Sequence, residues 1–185
     1  MSDNEIPNDP KTWLVLWTES RAEKKVAERV AAQGIEAWLP TVTERHQWSD
    51  RWRNVVLPLF PGYLFARGSA QVHRILRTPG VLTIVKRGAT PALLSDDFVT
   101  SLRSAVETSG LPMEPVKEAH DYQVDDEVIV QEGPLAGLRG VVRQRRGARH
   151  LVVWVAEVGR GVAFTVGANL LVRAAPAAPH AVTVD

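Results

Sequence analysis

The sequence predicts an α+β fold in two parts, a split-βαβ domain followed by a small five-stranded β-barrel. Over residues 11–106, strand-like apolar runs and helical periods follow one another in the order β-α-β-β-α-β, with a terminal helix. Over residues 122–174, short β-favouring runs are separated by turns that contain Gly. Residues 107–121 are acidic, contain Pro and have no apolar period, which is typical of a linker, and residues 175–185 predict a disordered tail.

The composition is that of a soluble globular protein. The chain has 185 residues, of which 45% are hydrophobic and 23% charged, enough for one large domain or two small ones. No apolar run suggests a membrane span, and the acidic start is unlike a signal or transit peptide. Cys is absent, which excludes disulfides, thiol catalysis and Cys-ligated zinc and fits a cytoplasmic location.

Charge is distributed unevenly, although the net charge is only +1. Residues 11–105 carry 14 Lys and Arg against 8 Asp and Glu, and residues 129–185 carry seven Arg against three acids. Between them, residues 106–128 carry one Lys against seven acids. Two basic modules therefore flank an acidic connector. Basic modules are typical of proteins that bind nucleic acid, although many solvated surfaces carry a similar surplus.

The first elements are a buried strand and a helix with a basic face. Trp13–Trp17 is a short apolar run of strand type, and a helix is predicted over residues 21–33. Ser20 and Glu23 have the spacing of a capping box at its start. One face of this helix is basic and predicts either a solvated surface or a phosphate contact. That face contains Arg21, Lys24, Lys25 and Arg29.

The chain is organised around Val55–Ala66, an apolar run interrupted by two Pro and a Gly. A regular central strand would not accept these residues, so Pro61-Gly62 predicts a turn or bulge with Gly62 at positive φ. The bend would leave some of the rings of Phe60, Tyr63 and Phe65 near the surface for a protein partner; the alternative, that all three are core, remains open.

The other elements follow from apolar period and turn residues. Strands are predicted at residues 35–39, 42–46 and 81–85, with short helical turns at 70–76 that stop at Thr78-Pro79-Gly80. Residues 47–54 predict a polar loop in which Trp48 or Trp52 touches a partner. Ser95 caps a last helix whose apolar face contains Phe98, Leu102, Ala105 and Val106. Strands of the second part are predicted at residues 127–130, 140–143, 151–158, 162–166 and 170–173.

No catalytic or metal-binding constellation is present in the sequence. The five His are scattered without metal-ligand spacing, and no H-E-x-x-H occurs. The carboxylate pair Asp96-Asp97 opens a helix, whose dipole favours acids there. We therefore expect a non-enzymatic protein without metal or cofactor.

The motifs resemble the NusG family of transcription elongation factors over nearly the whole chain. Residues 13–26 (WLVLWTESRAEKKV), 59–65 (LFPGYLF) and 78–81 (TPGV) look like the NusG N-terminal domain, which has a ferredoxin- or RNP-like fold. Residues 126–142 (DEVIVQEGPLAGLRGVV) look like a KOW domain, an SH3-like barrel. The two motifs in this order, with a linker between them, are specific to the family.

This resemblance implies a transcription elongation and antitermination factor that suppresses pausing. Its N-terminal domain would bind the clamp helices of the RNA polymerase β′ subunit through an apolar cavity formed by Trp17, Phe60, Pro61, Tyr63 and Phe65. It would contact non-template DNA through Arg21, Lys24, Lys25 and Arg29, with Thr78 nearby. Its KOW domain would bind a small-subunit ribosomal protein or the termination factor Rho through an apolar rim of Leu135, Leu138 and Phe164.

Two finer interpretations concern the type of factor. The QWSDR segment at 47–51, together with PLFPGY at 58–63, looks like the specialised RfaH, UpxY and LoaP paralogues, which we favour over a housekeeping factor. The β-branched run at 151–158 predicts that the KOW domain stays a barrel and does not fold as a masking helical hairpin. The alternative of a different class is a ribosome-associated RNA-binding KOW protein, since the Arg-rich segment 143–149 could bind RNA phosphates.

Overall fold

A computed structural model describes residues 11–48, 51–68, 72–116, 123–130, 135–145, 148–166 and 174–176. The chain divides into two compact units. The first comprises residues 1–100 and 155–159, and the second comprises residues 101–154 and 160–185.

The first unit is built on an antiparallel sheet with β1 at its centre. The strands of this sheet are β1 (Thr12–Thr18), β2 (Ala37–Trp38), β5 (Tyr63–Arg67), β6 (Val81–Ile84) and β9 (Leu93–Ser95). Their order is β2-β5-β1-β6, and β9 pairs with the N-terminal half of β1. One antiparallel strand therefore separates β1 from β2 and β5 from β6, which is the predicted split-βαβ order.

Two helices cover one face of this sheet. Leu14 and Leu16 of β1 pack with Leu64 of β5, Val26 of helix α1 (Glu23–Ala31) and Ile75 of helix α2 (Val72–Leu76). Because side chains alternate along a strand, the neighbours of these residues point to the opposite face of the sheet. The sheet of the first unit thus has one face covered by α1 and α2 and an opposite face formed by the alternate side chains.

The predicted capping box of α1 is wrong. The N-cap is Ala22, which makes no side-chain capping hydrogen bond, and Arg21 has a left-handed φ of 64°. This turn places Ser20 two residues before the N-cap, so its hydroxyl does not occupy the capping position. The Glu23 carboxylate instead accepts a hydrogen bond from the backbone N–H of Gly62, at 2.8 Å.

The predicted polar loop at 47–54 is also wrong, because most of it lies in a hairpin. Strands β3 (Thr41–Trp48) and β4 (Arg51–Pro58) pair in continuous register from Thr41 opposite Pro58 to Trp48 opposite Arg51. They form a two-stranded sheet of their own. In a two-stranded ribbon whose two faces are both exposed to solvent, a strand can consist of polar residues. Its sequence then has the same polar composition as a loop.

Residues 86–108 add short strands and the last helix, which begins in the first unit and continues into the second. Strands β7 (Lys86–Arg87) and β8 (Thr90–Pro91) form a small hairpin that the sequence did not predict. Helix α3 (Asp96–Thr108) is capped as predicted, since the Ser95 hydroxyl accepts a hydrogen bond from the Phe98 N–H. Its fully buried residues are Val99, Leu102 and Ala105, whereas the predicted Phe98 and Val106 are half-buried.

The second unit contains a six-stranded antiparallel sheet in the order β10-β14-β13-β12-β11-β15. Its strands are β10 (Met113–Val116), β11 (Gln123–Val130), β12 (Arg139–Arg145), β13 (Ala148–Val155), β14 (Arg160–Val166) and β15 (Ala174–Pro176). Four of them overlap the predicted strands, whereas the strand predicted at 170–173 lies outside the described residues. Closure of the sheet into the predicted KOW barrel stays a prediction.

The two end strands of this sheet lie where the sequence predicts a linker and a tail. Strand β10 falls within 107–121, and β15 extends into 175–185. Both contain Pro, which lacks the backbone N–H of a ladder but is accepted in edge strands. The prediction that these two short segments lack secondary structure is therefore wrong. Within the described residues, no helix has the length and apolar character that crossing a membrane requires.

Candidate functional site

The sheet face opposite α1 and α2 collects the aromatic residues of three strands. Residues directly opposite in an antiparallel pair share a face. Val15 lies opposite Phe65, and Trp17 lies opposite Tyr63. Trp38 of β2 also lies opposite Phe65. We call the side chains of this face the aromatic face; they are Trp13, Trp17, Trp38, Tyr63 and Phe65.

Exposure changes abruptly along β1 on this face. Trp13 and Val15 are 1% and 0% exposed, whereas Trp17 is 48% exposed. Tyr63, opposite Trp17, is half-buried, and Pro61 in the adjoining turn is exposed. The aromatic face therefore has one open end, which we define as Trp17, Pro61 and Tyr63. It brings together three of the five residues that the sequence predicts for polymerase binding.

The other two predicted residues, Phe60 and Phe65, are not at the surface. Both are 0% exposed. The Phe65 ring stacks on Trp38 with a centroid distance of 5.5 Å, and Phe60 packs edge to face on Phe65 at 6.0 Å. The expectation that these two rings stay near the surface is wrong, because two aromatic neighbours enclose Phe65. The core interpretation is correct for these residues.

The Pro61-Gly62 turn is held between β1 and α1. Gly62 has a φ of 85°, as predicted, and its carbonyl accepts a hydrogen bond from the backbone N–H of Thr18 at 2.9 Å. Its own N–H donates to the Glu23 carboxylate, which is 5% exposed. A buried carboxylate thus fixes the turn that carries Pro61 and Tyr63. The capping-box pattern singles out Glu23 in the sequence but predicts helix capping and not this contact.

A polar cluster closes the opposite end of the aromatic face. The Trp13 indole N–H donates to one Asp96 carboxylate oxygen at 2.8 Å, and the other oxygen pairs with Arg67 at 2.9 Å. Arg67 also pairs with Glu36 at 3.1 Å and lies over the Trp13 ring. This cluster explains why Trp13 is buried whereas Trp17 is open. The sequence predicts only a helix-start role for Asp96.

The predicted DNA-contact residues of α1 are solvent-exposed, but Thr78 is not. Arg21, Lys24, Lys25 and Arg29 are exposed, and an Arg29 guanidinium N–H donates to the Pro79 carbonyl at 2.7 Å. Thr78 is 3% exposed; its hydroxyl donates to the Arg74 carbonyl and accepts from the Gln33 amide. In this arrangement the Thr78 side chain does not reach DNA directly, because it is buried and its hydroxyl already makes two hydrogen bonds within the protein.

Helix α2 adds a basic residue at the end of α1 that the sequence did not single out. The exposed Arg74 guanidinium donates to the Gln33 carbonyl at 2.9 Å. The turn between α2 and β6 also packs closely on α1, since a Cβ at Gly80 would lie 2.7 Å from Val26 Cγ2. Arg29 and Arg74 are thus fixed by the turn and by the helix end, and together they extend the basic surface.

The predicted partner rim of the second unit is buried. Leu135 is 1% exposed, and Leu138 and Phe164 are 0% exposed. Leu135 and Leu138 lie in a turn that folds back on β11, where the Leu138 carbonyl accepts the Val130 N–H at 2.9 Å. The three predicted rim residues are therefore enclosed by their own unit, and their contact with a partner stays a prediction. Among the residues that the structure describes, no His, Asp or Glu cluster could hold a metal ion.

This fold and these surfaces define a binding module, with an aromatic opening on one sheet face and a basic helix on the other. The family model described as "Transcription termination factor nusG" matches residues 11–103, which is half of the chain. The chain therefore belongs to the NusG family.

Two curated relatives and one solved structure illustrate this similarity. The chain is 29% identical to the transcription elongation factor spt5 of Aspergillus fumigatus over 109 residues, which is 55% of this chain and 10% of spt5. It is 25% identical to the transcription termination/antitermination protein NusG of Streptomyces virginiae over 160 residues, covering 73% and 54% of the two chains. The chain thus spans about half or less of these relatives. A structure titled "Domain interaction in Thermotoga maritima NusG" aligns with 84% of this chain and 93% of its own, at 23% identity and a TM-score of 0.48.

Proposed function

We propose that this protein is a transcription elongation and antitermination factor that binds the β′ clamp helices of RNA polymerase through the open end of its aromatic face. One observation carries the proposal: Trp17 is 48% exposed at the end of a strand whose preceding four residues are buried. Exposed aromatic residues beside a turn are typical anchors of protein interfaces, each worth about 2 kcal/mol or more. A pair of helices offers the apolar ridge that such anchors need.

The buried members of the aromatic face support this site from behind. Phe65 packs between Trp38 and Phe60, and it is two residues from Tyr63 on the same face. Such packing preorganises Tyr63, which lowers the entropic cost of binding. Phe60 and Phe65 therefore act as a support for the polymerase contact and not as its surface.

The basic helix is the proposed contact with non-template DNA. Arg21, Lys24 and Lys25 are exposed on α1 or just before it, and Arg29 is exposed beside the turn it holds. Each phosphate neutralised by such a residue releases counterions, so we expect the DNA contribution to weaken with salt. Thr78 contributes only by fixing the turn next to this helix.

The second unit is the proposed coupling module, a KOW domain that binds a small-subunit ribosomal protein or Rho. The resemblance of residues 126–142 to a KOW domain supports this part of the proposal. We further propose a specialised paralogue of cytoplasmic, non-enzymatic type. The resemblance of residues 47–51 and 58–63 to the RfaH, UpxY and LoaP groups supports this assignment.

Binding of RNA polymerase by point variants tests the proposal. We expect Tyr63→Asp and Trp17→Ala each to raise the dissociation constant for core polymerase at least about 30-fold, as the loss of an interface hot spot does. Trp154→Ala is the matched control, since it removes an exposed Trp from the second unit. Unchanged binding by both test variants, with an unchanged melting temperature, would refute the proposed site.

A further inference from the structure

The β3–β4 hairpin has one face that is exposed along most of its length. Pairing puts Arg45 opposite Asn54 and Gln47 opposite Trp52, all on the same side of the ribbon. Thr43 and Val56 extend this side, and all six residues are exposed. We call this side the outer hairpin face. The opposite side is partly covered, since Val42, Val55 and Leu57 are half-buried.

A stacked aromatic and cation mark the centre of the outer hairpin face. Trp52 is 54% exposed, and the Arg45 guanidinium lies over its ring at 4.9 Å from the centroid. Gln47 and Asn54 flank the pair with amide groups that can both donate and accept hydrogen bonds. An unstacked base needs a ring to stack on and polar groups that form hydrogen bonds with its edges. The indole of Trp52 can provide the ring, and the neighbouring guanidinium and two amides can provide the hydrogen bonds.

The charge of the hairpin favours a polyanion over a protein partner. Arg45, Arg51 and Arg53 are exposed, and within the described residues none of them takes part in an ion pair. Glu44, the one carboxylate in the described part of the hairpin, pairs with His46 at 2.9 Å on the other side of the ribbon. Arg45 lies on the outer hairpin face, whereas Arg51 and Arg53 lie on the side of Glu44 and His46. Within the described residues, the hairpin as a whole therefore carries three arginines against one carboxylate.

We propose that the β3–β4 hairpin binds single-stranded nucleic acid, with a base stacked on Trp52 and phosphates held by Arg45, Arg51 and Arg53. The ribbon is only two strands wide, about 5 Å between strand axes, so arginine side chains from both sides reach its edge. A duplex keeps its bases stacked inside the helix and offers Trp52 no free ring surface. This site is separate from the proposed polymerase contact and does not depend on it.

Fluorescence anisotropy with labelled oligonucleotides of about 12 nucleotides tests the inference on the full chain. The probes are oligo-dT, oligo-U and a blunt DNA duplex. We expect the wild type to bind a single strand more tightly than the duplex, with an affinity that falls as salt rises. Trp52→Ala should raise the dissociation constant at least about fivefold, the low end of the loss of one stacked base. Trp52→Phe should retain most of the affinity, and Arg45→Ala should weaken binding more than Arg45→Lys.

Matched controls separate this site from general charge and from α1. Trp154→Ala removes another exposed Trp, and Arg87→Ala removes an exposed Arg of the small β7–β8 hairpin; neither should change the dissociation constant. In a protein that carries both Lys24→Ala and Lys25→Ala, the Trp52→Ala substitution should raise the dissociation constant by the same factor as it does in the wild type.

Three results would overturn the inference: no oligonucleotide binding by the wild type, equal binding of duplex and single strand, or a Trp52→Ala variant that matches Trp154→Ala. Tighter binding of oligo-U than of oligo-dT would identify RNA as the ligand, and the reverse would identify DNA. Loss of polymerase binding has no bearing on these outcomes, so the two proposals fail independently.

Discussion

Replacing Glu23 should both destabilise the first unit and weaken the proposed polymerase contact. Its carboxylate is 5% exposed and accepts the Gly62 N–H at 2.8 Å, across 39 residues of sequence. A hydrogen bond to a charged group contributes about 1.5–3 kcal/mol. The carboxylate also lies in the first turn of α1, where the helix dipole adds about 0.3–1 kcal/mol. The higher helix propensity of Ala returns only a few tenths of this, about 0.4 kcal/mol.

We therefore expect Glu23→Ala to lower the free energy of unfolding by about 2–3 kcal/mol. For a domain of this size such a loss lowers the melting temperature by roughly 10 °C or more. Glu23→Gln keeps an acceptor oxygen without the charge and should cost about half as much. Urea denaturation and differential scanning calorimetry measure these changes.

The functional consequence follows from the position of the turn. Without the Glu23 carboxylate, the Pro61-Gly62 turn keeps its hydrogen bond from Thr18 but loses the one to α1. Pro61 and Tyr63 would then be less preorganised, so the dissociation constant for polymerase should rise. Glu28→Ala is the matched control on an exposed position of the same helix and should stay within about 0.5 kcal/mol of the wild type. Equal stability of the Glu23→Ala and Glu28→Ala variants would refute the reasoning.

Two further predictions concern stability. Gly80→Ala should lower the free energy of unfolding by about 2–5 kcal/mol, because a φ of 92° strains any L side chain and the new Cβ would overlap Val26. Gly34→Ala is its control: at a φ of 77° the new Cβ meets no atom within 4 Å, so only the backbone strain remains, about 1–2 kcal/mol. Asp96→Ala should cost about 1–3 kcal/mol, because it removes the acceptor of the buried Trp13 indole, and red-shift the Trp emission. Asp97→Ala is the control for Asp96→Ala in the same helical turn. Thermal melts compare each variant with its control. An equal loss of stability in a variant and its control would contradict the Gly80–Val26 overlap or the Asp96–Trp13 hydrogen bond, respectively.

Much of the fold could be predicted from local pattern. The apolar runs at Trp13 and Val81 are of strand type, and the cap at Ser95 marks the start of α3, so the sequence predicts these elements to within a few residues. The positive φ of Gly62 was predictable for the same reason, since Pro-Gly within an apolar run requires a turn. The hairpin residues within 47–54 could not be predicted as strands, because this polar, exposed end of the ribbon has no apolar period to distinguish it from a loop.

The candidate site was predicted only in part. Trp17, Pro61 and Tyr63 lie together at an opening, whereas Phe60 and Phe65, from the same motif, are enclosed. The motif contains no difference between Tyr63 and Phe65 that would reveal this, since both point to the same sheet face. The burial of Phe65 depends on Trp38, which lies opposite Phe65 and stacks on its ring.

The sequence alone determined the order of the main strands and helices, the turn at Pro61-Gly62 and the basic surface of the first helix, because each depends on residues a few positions apart. Only the tertiary structure decided which aromatic rings are exposed and which carboxylates accept hydrogen bonds from distant parts of the chain. Glu23 binds a turn 39 residues away, and Asp96 binds Trp13 across 83 residues. Such partners are selected by strand pairing and packing, which bring together groups that no local pattern relates.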